Sequence, residues 1–378
     1  MKSFSIKLHF RNSSAFTLVE ILVSLAVLTI LLLISAQVIG QVQATWSASN
    51  ARVSQFREAR TAFDIITRNL SQATLNSYMD YQSNYLVTAS SMAGAVSGAN
   101  NNPGNYVRKS DLQFVCGYSK DLVNGATSSD ESNLPGHAVF FQAPLGITEN
   151  PNYVGLDKLL CARGYFVQFS SDEAFRPSFL PSGDFRWRYR LMEYSPPAEK
   201  NTIFSLTTGA NGAVPETWFA DAGQQINGGG STETAVNVST TRPIADNIVM
   251  LIISPRRELK ANETGDVGPT EIAPQFSYNS NNVVGNTTAA PQGYQFLLPP
   301  LVRVVLIAID ERSAERLSQE SNGQTPPFGA ALSTSFTNSN ASSLEQSITQ
   351  AVDVLSKRNV NYRVFSATVQ LRGSKWSI

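Results

Sequence analysis

Histidine and cysteine are scarce in this sequence, which has two of each among 378 residues. Enzymes that use acid–base, nucleophilic or metal chemistry draw heavily on these two residue types. The strings G-x-S-x-G, H-E-x-x-H, G-x-x-x-x-G-K and C-x-x-C, which mark common catalytic and phosphate-binding sites, are also missing. The sequence therefore favours a protein that is not an enzyme, with no cofactor and no metal site.

Oxygen-rich clusters are the feature that a calcium ion would use. They occur at Asp246-Asn247 and over 279–282, but without the regular ligand spacing of an EF-hand loop. We interpret both clusters as solvated loops. His137, which precedes an apolar run, is interpreted as a structural or hydrogen-bonding residue.

An excess of basic residues is also absent, because 29 lysines and arginines balance 29 acidic residues. A surface that binds nucleic acid usually has a basic excess, so the bulk charge gives little support to DNA binding. Apolar residues make up 42% of the chain, which is enough to fill the core of one large or two small domains.

Charge is almost absent from Phe16 to Gly40, where Glu20 is the only charged residue among 25. A helix of this length crosses a bilayer core of about 30 Å. The preceding Lys2, Lys7 and Arg11 have no acidic neighbour, and they retain the amino end in the cytoplasm by the positive-inside rule. No small-residue cleavage site of the A-x-A kind follows the run, so the apolar segment is expected to stay in the protein.

The string A-F-T-L-V-E over 15–20 resembles the processing site of prepilins, the precursors of type IV pilins and of type II secretion pseudopilins. The resemblance implies cleavage between Ala15 and Phe16 by a prepilin peptidase, methylation of the new amino terminus at Phe16, and retention of the apolar helix. Ala15 stands where that family nearly always has glycine. The alternative is a simple signal anchor that carries a glutamate.

Glu20 is expected to act in assembly and not in catalysis. An unpaired carboxylate in lipid lowers its energy by meeting an ammonium group, and the amino terminus of a neighbouring processed chain supplies one. Such pairing favours staggered association between the helices of sister subunits.

A regular apolar stripe follows the membrane segment. Its members recur at spacings of 3, 4, 3, 4 and 3, as on one face of a helix: Phe56, Ala59, Phe63, Ile66, Leu70 and Ala73. We expect one long helix from about Phe16 to Leu75, whose second half packs on a sheet. A coiled-coil seam with a partner is the alternative.

Runs rich in β-branched and aromatic residues predict strands over 137–143, 164–169, 185–194, 247–253, 301–309 and 360–371, and a short helix is predicted over 344–355. In the third run, Arg186, Arg188 and Arg190 alternate with apolar residues. We interpret the three arginines as a solvated face; the alternative is that they hold an acidic neighbour in a fibre.

These elements predict an α+β fold, in which a long N-terminal transmembrane and amphipathic helix packs on an antiparallel β-sheet globular domain of pilin-like type. The predicted domains are a leader over 1–15, a transmembrane helix over 16–40, its amphipathic continuation over 41–75, and an extracytoplasmic β-rich domain with long loops over 76–378. The glycine-rich stretch 209–241 is interpreted as an insertion or a joint between subdomains.

The two cysteines, Cys116 and Cys161, lie in apolar, strand-like runs of a domain expected outside the cytoplasm, where disulfides persist. A disulfide between them and a pair of buried free thiols are both open alternatives. A disulfide requires their Cα atoms to lie within about 7 Å of each other.

Two finer resemblances concern the type of pilin-like subunit. The apolar run 247–255 and the later run 300–310, L-P-P-L-V-R-V-V-L-I-A-I-D from 298, resemble the late strands of J-type minor pseudopilins. The segments 56–76, 136–146 and 362–376 resemble the Verru_Chthon cassette protein C family, prepilin-like proteins of the Verrucomicrobia. The latter resemblance spans most of the chain.

These resemblances imply a minor pseudopilin or pilin-like subunit that organises a pseudopilus in a type II secretion or type IV pilus-like assembly. Its expected partners are sister pilin-like subunits, a prepilin peptidase and an inner-membrane assembly platform. Its expected location is a single pass through the inner membrane, with the globular domain in the periplasm. The alternatives are a static surface adhesin processed by the same peptidase and, less favoured, a membrane-tethered enzyme.

Overall fold

The structure is a computed structural model. It describes residues 17–81, 106–123, 132–177, 179, 185–204, 216–219, 222, 240–257, 272–286, 292–320, 325–332, 336 and 341–374. The predicted leader, Phe16 and most of the glycine-rich stretch 209–241 lie outside the described residues.

Four α-helices and eleven strands occur in the described parts of the chain, joined by short 3-10 helices and loops. The helices are α1 (Leu18–Leu70), α2 (Ser119–Leu122), α3 (Glu311–Glu320) and α4 (Ala341–Lys357). The strands are β1 (Tyr78–Tyr81), β2 (Tyr106–Lys109), β3 (Val115–Tyr118), β4 (His137–Pro144), β5 (Leu160–Ser170), β6 (Arg188–Tyr194), β7 (Thr241–Asp246), β8 (Ile248–Arg256), β9 (Tyr278–Asn279), β10 (Leu301–Ile309) and β11 (Tyr362–Gln370).

The chain divides into two compact units, Met1–Ser54 and Gln55–Ile378. The described part of the first unit is the amino-terminal portion of α1. The second unit contains the rest of α1 and all eleven described strands. Its strands form a six-stranded sheet in the order β7-β6-β5-β4-β3-β9, a three-stranded sheet in the order β11-β10-β8, and the two-stranded sheet β1-β2, all with antiparallel pairing.

The centre of the second unit is β8, in which all nine residues are buried. A strand that is covered on both faces reads as a continuous apolar run, and Ile248 to Ile253 form such a run. Its partner β10 is buried along most of its length and pairs with both β8 and β11. The predicted α+β class, with an apolar N-terminal helix and a mainly antiparallel β domain, is confirmed.

Asn247 forms the corner at which the chain passes from the six-stranded to the three-stranded sheet. Its backbone is left-handed, with φ of 61°, a conformation that asparagine adopts more readily than most residues. Its carbonyl oxygen accepts a hydrogen bond from the backbone of Ile309 at 2.9 Å, and its Nδ2 donates to Glu311 Oε2 at 2.6 Å. Asn247 is therefore part of a fixed turn and not the first residue of a strand.

The longest predicted elements match those observed. The predicted strands correspond to β4, β5, β6, β8, β10 and β11, and the predicted short helix corresponds to α4. Strand β6 begins at Arg188, three residues later than predicted, and α1 ends at Leu70 because Ala73 N turns back to bond Leu70 O at 3.0 Å. The short strands β1, β2, β7 and β9 were not predicted, and β3 was indicated only by the strand-like run around Cys116.

Candidate functional site

The amino end of α1 is built from Thr17 and Glu20. Glu20 N bonds the carbonyl oxygen of Thr17 at 3.0 Å and its Oγ1 at 3.4 Å, so Thr17 occupies the helix-cap position. A threonine followed three residues later by glutamate is the spacing of a capping box, which also puts a carboxylate at the positive end of the helix dipole. The position of the exposed Glu20 in the first turn thus favours the start of α1, a second role that was not predicted. The string T-L-V-E over 17–20 was the sequence signal for it.

The segment Leu18–Ser47 is long and apolar enough to cross a membrane: it has 30 residues, and its most apolar stretch has a mean hydropathy of 2.7 and no buried residue. At 1.5 Å per residue it is longer than a bilayer core of about 30 Å. Its hydroxyl groups suit such a setting, because Ser24, Thr29 and Thr45 donate to carbonyl oxygens of their own helix at 2.8 to 2.9 Å. An exposed apolar surface of this extent requires lipid or other helices around it.

Comparison with protein families gives a match on this same segment. Residues 10–36 match the family described as Prokaryotic N-terminal methylation motif. The chain carries a prepilin-type methylation motif. The matched range includes Ala15 and Phe16, which lie outside the described residues, and Glu20 at the start of α1. No curated protein and no solved structure matches the chain.

The methylation motif supports a place in the pilin and pseudopilin superfamily. In general it implies processing by a prepilin peptidase and membrane-associated assembly, and it points to a structural, pilin-like protein. Together with the apolar helix it suggests a membrane-anchored protein.

The second half of α1 packs on the sheets of the second unit through the predicted stripe. Ala59, Phe63, Ile66 and Leu70 are buried and Phe56 is half-buried. Phe63 contacts Phe365 of β11 with ring centroids 6.0 Å apart. The packing of this stripe on a sheet is therefore confirmed for the second unit.

A polar chain ties the end of α1 to the middle of the six-stranded sheet. Asn69 Nδ2 donates to Tyr165 Oη at 2.7 Å, and the Tyr165 hydroxyl donates to Glu193 Oε1 at 3.0 Å. Burial, and after it the charge of Glu193, raises the pKa of Tyr165, so the phenol stays protonated and remains a donor. Arg163 and Arg242 flank Glu193, with N–O distances of 4.0 and 3.6 Å.

Replacing Asn69 by alanine is expected to lower the free energy of unfolding by about 1 kcal/mol, the usual value of one hydrogen bond. The neighbouring Arg68 is exposed, so Arg68→Ala is the matched control and should change stability by less than about 0.5 kcal/mol. Urea unfolding of the full chain in detergent, followed by tryptophan fluorescence, measures both. Equal losses for the two variants would mean that the Asn69–Tyr165 bond adds nothing.

The interpretation of Arg186, Arg188 and Arg190 as a solvated face is wrong for two of the three. Arg188 and Arg190 are 7% and 3% exposed, whereas Arg186 is exposed. Arg188 Nη2 pairs with Glu311 Oε1 at 3.0 Å and Arg190 Nε pairs with Asp246 Oδ1 at 3.0 Å. Arg190 also donates to the carbonyl oxygens of Ser170 and Arg186. The acidic partners thus belong to the same chain, which a local sequence pattern cannot reveal.

The cluster at Asp246-Asn247 has protein partners in place of a cation. Asp246 pairs with Arg190, and Asn247 and Arg188 both donate to Glu311. Burial alone would raise the pKa of Glu311, but the hydrogen bonds from Asn247 and Arg188 outweigh it and lower that pKa. In the part of the chain that the structure describes, no group of three or more histidine, cysteine or acidic residues has the geometry to hold a metal ion.

His137 lies at the start of β4 inside an aromatic pocket. The rings of Tyr118, Phe276 and Phe336 have centroids 5.3, 4.9 and 6.1 Å from the imidazole. His137 Nδ1 lies 3.0 Å from both the backbone nitrogen and the carbonyl oxygen of Ile253 in β8. Burial lowers the pKa of His137 to about 4, so the ring is neutral at pH 7 and joins the two sheets.

Cys116 and Cys161 are both buried and free, which agrees with the alternative of two buried thiols and not with that of a disulfide. Cys116 is on β3 and Cys161 is on β5, and β4 lies between these strands. Two strand spacings of about 4.8 Å already exceed the Cα separation that a disulfide spans. Burial also raises the pKa of the Cys116 thiol, which makes it unreactive.

Proposed function

We propose that this chain is a minor pseudopilin or pilin-like subunit, whose α1 assembles in the inner membrane beside the helices of sister subunits. The observation that carries the proposal is the methylation motif over 10–36 on an exposed apolar helix in which Glu20 is the only charge up to Ser47. Cleavage after Ala15 would create an ammonium group at Phe16 that meets Glu20 of the next chain. That contact would have its greatest value in the low dielectric of lipid.

The proposal includes the domain limits and the topology expected from the sequence. A leader over 1–15 is removed, the helix over 16–40 spans the inner membrane, residues 41–75 continue that helix, and the domain over 76–378 lies in the periplasm. The prepilin peptidase and the inner-membrane assembly platform act on the cytoplasmic side. The basic leader supports this orientation.

The finer assignment is a J-type minor pseudopilin of a type II secretion system, with a relationship to the Verru_Chthon cassette protein C family. It is supported by the two segments that carry the J-type resemblance. They form β8 and β10, which pair antiparallel at the centre of the second unit. This subunit would organise the pseudopilus through its globular domain.

Replacing Glu20 by glutamine tests the proposal. The change keeps the size of the side chain but removes its charge, so membrane insertion should persist while the contact with a neighbouring Phe16 amino group is lost. Crosslinking and co-purification with sister subunits should fall at least about ten-fold at equal membrane abundance, the equivalent of about 1.4 kcal/mol.

Thr29→Val is the matched control, because the Thr29 hydroxyl bonds only its own helix, to Ala26 O at 2.8 Å. This variant should assemble as the wild type does. Full assembly of Glu20→Gln would instead favour the alternative of a static surface anchor, which is recovered without sister subunits.

A further inference from the structure

Strand β11 is an edge strand of the three-stranded sheet. It pairs with β10 through nine consecutive residue pairs without a register shift, and its other side has no strand beside it among the described residues. Most of its side chains are exposed or half-buried. A long, regular edge of this kind is a template for a further strand.

The hydrogen bonds at the two ends of β11 show which backbone groups face the free edge. Leu371 N donates to Pro300 O and Asp310 N donates to Asn361 O, each at 3.1 Å. In an antiparallel pair, every second residue of a strand forms its backbone hydrogen bonds with the neighbouring strand. Since Asn361 and Leu371 bond the β10 side, the odd-numbered residues between them do so too. The N–H and C=O groups of Tyr362, Val364, Ser366, Thr368 and Gln370 therefore point outwards.

This edge lacks the features by which proteins normally prevent edge-to-edge pairing, namely proline, lysine, inward charges and bulges. Within Tyr362–Gln370 there is no proline or lysine, and the one charge is Arg363. The contrast is β7, an edge strand of the six-stranded sheet, which contains Pro243. The β7 edge is therefore protected against pairing with another strand, whereas the β11 edge is able to pair.

Two arginines make one side of the β11 edge positive. The Arg363 guanidinium lies over the rings of Phe56 and Phe365, with centroid distances of 5.9 and 5.6 Å, so it is held on the face that α1 covers. Arg60 shares a helix flank with Phe56 and Phe63, because positions four and three apart lie in one row. Arg60 and Arg363 are both exposed.

A second copy of this chain does not suit the edge. Along α1, Phe56 meets Arg363, Phe63 meets Phe365, and Ser71 O accepts from Arg372 N, so α1 and β11 run in the same direction. Antiparallel pairing of two β11 strands would place two such helices in opposite directions on one sheet face. The like charges of Arg60 and Arg363 from both copies would also meet on that face.

We propose that the free edge of β11 binds an extended segment of a different protein, which adds a strand to the sheet and presents acidic side chains to Arg60 and Arg363. Backbone hydrogen bonds from the five outward residues provide the affinity. The two arginines select the charge of the segment. This surface is separate from the Phe16–Glu20 contact proposed for assembly.

The probe is a fluorescein-labelled, end-blocked peptide of sequence T-V-E-V-T-V-E-V-T, whose glutamates share one face, together with its counterpart with lysine in place of glutamate. Binding to the full chain in detergent micelles is measured by fluorescence anisotropy, with empty micelles as the blank. The acidic peptide should bind at least about ten-fold more tightly than the lysine peptide. It should also slow amide exchange at Val364, Ser366 and Thr368.

Ser366→Pro and Ser366→Ala form the matched pair. Both remove the Ser366 Oγ that accepts a bond from Arg303 at 3.3 Å, but only proline removes the outward N–H. Because that N–H is not part of the β10 ladder, both variants should melt at similar temperatures. Ser366→Pro should weaken binding of the acidic peptide at least about ten-fold, and Ser366→Ala should bind within about two-fold of the wild type.

Arg60→Glu provides a second test that does not depend on a proline. Because Arg60 is exposed, this variant should fold as the wild type does. It should remove the preference for the acidic peptide, because the new carboxylate offsets the charge of Arg363. Absence of binding, equal binding of both peptides by the wild type, or binding unchanged by Ser366→Pro would overturn the proposal. So would self-association of the full chain that Ser366→Pro abolishes, because a second copy would then occupy the edge. Failure of the Glu20→Gln prediction leaves all these results unaffected.

Discussion

Replacing Gly136 by alanine is expected to lower the free energy of unfolding by about 2 to 5 kcal/mol, because the added Cβ forces the two main sheets apart. Gly136 has φ of 80° and forms an isolated bridge with Leu251 of β8. An added Cβ would lie far inside van der Waals contact with the carbonyl oxygen of Leu251. Left-handed backbone costs an alanine about 1–2 kcal/mol, and overpacking against a fixed backbone costs about 1–3 kcal/mol more.

Gly155→Ala separates these two contributions. Gly155 also has a left-handed backbone, with φ of 94°, but its added Cβ would meet no atom within 4 Å. This variant should lose only the backbone part, about 1 to 2 kcal/mol. Urea unfolding of both variants is the measurement. Similar losses for the two would show that the approach of Gly136 to β8 is not as close as described.

Lowering the pH from 7 to 4 is expected to remove about 3 kcal/mol of stability through His137 alone. Burial lowers the folded-state pKa of His137 from its ordinary 6.5 to about 4. Between these values the unfolded chain binds one proton that the folded chain does not, so stability falls as the pH falls, by about 1.4 kcal/mol per pH unit. The stability that the neutral His137 contributes is fully present above about pH 6.5 and is lost progressively as the pH falls to about 4.

His137→Gln isolates this contribution from the other groups that titrate in the same range. The amide retains a donor and an acceptor for Ile253 but has no proton to gain. The variant should be less stable than the wild type at pH 7. Between pH 6.5 and 4, the slope of its free energy of unfolding against pH should be smaller than that of the wild type by about 1.4 kcal/mol per pH unit, the equivalent of one proton. Parallel pH profiles for the two proteins would show that His137 becomes protonated without opening its aromatic pocket.

Continuous or strictly periodic patterns in the sequence predicted the fold well. The stripe from Phe56 to Leu70 and the apolar runs of β8 and β10 each give a regular or continuous pattern, because most of the residues in them are buried. The short strands have no such signal. Strand β7 contains Pro243 and β9 has two residues, so their positions depend on the neighbours that they pair with.

The candidate site could be predicted only where its residues are close in sequence. Glu20, the motif around it and the apolar helix all lie within one segment. The partners of Arg188 and Arg190 are 123 and 56 positions away, and Asn69 and Tyr165 are separated by 96. No periodicity joins such distant residues. The same reasoning explains the cysteines, whose apolar surroundings were evident but whose separation by β4 depends on strand order.

The mass of the amino-terminal peptide of the protein isolated from membranes of its native host tests the central claim most directly. If the chain is a processed pilin-like subunit, the peptide starts at Phe16 and carries one methyl group on its α-nitrogen. Ala15→Gly should give the same terminus, since glycine is the residue that prepilins usually have at this position. Recovery of only the form that begins at Met1, with the host's prepilin peptidase active, would contradict the account.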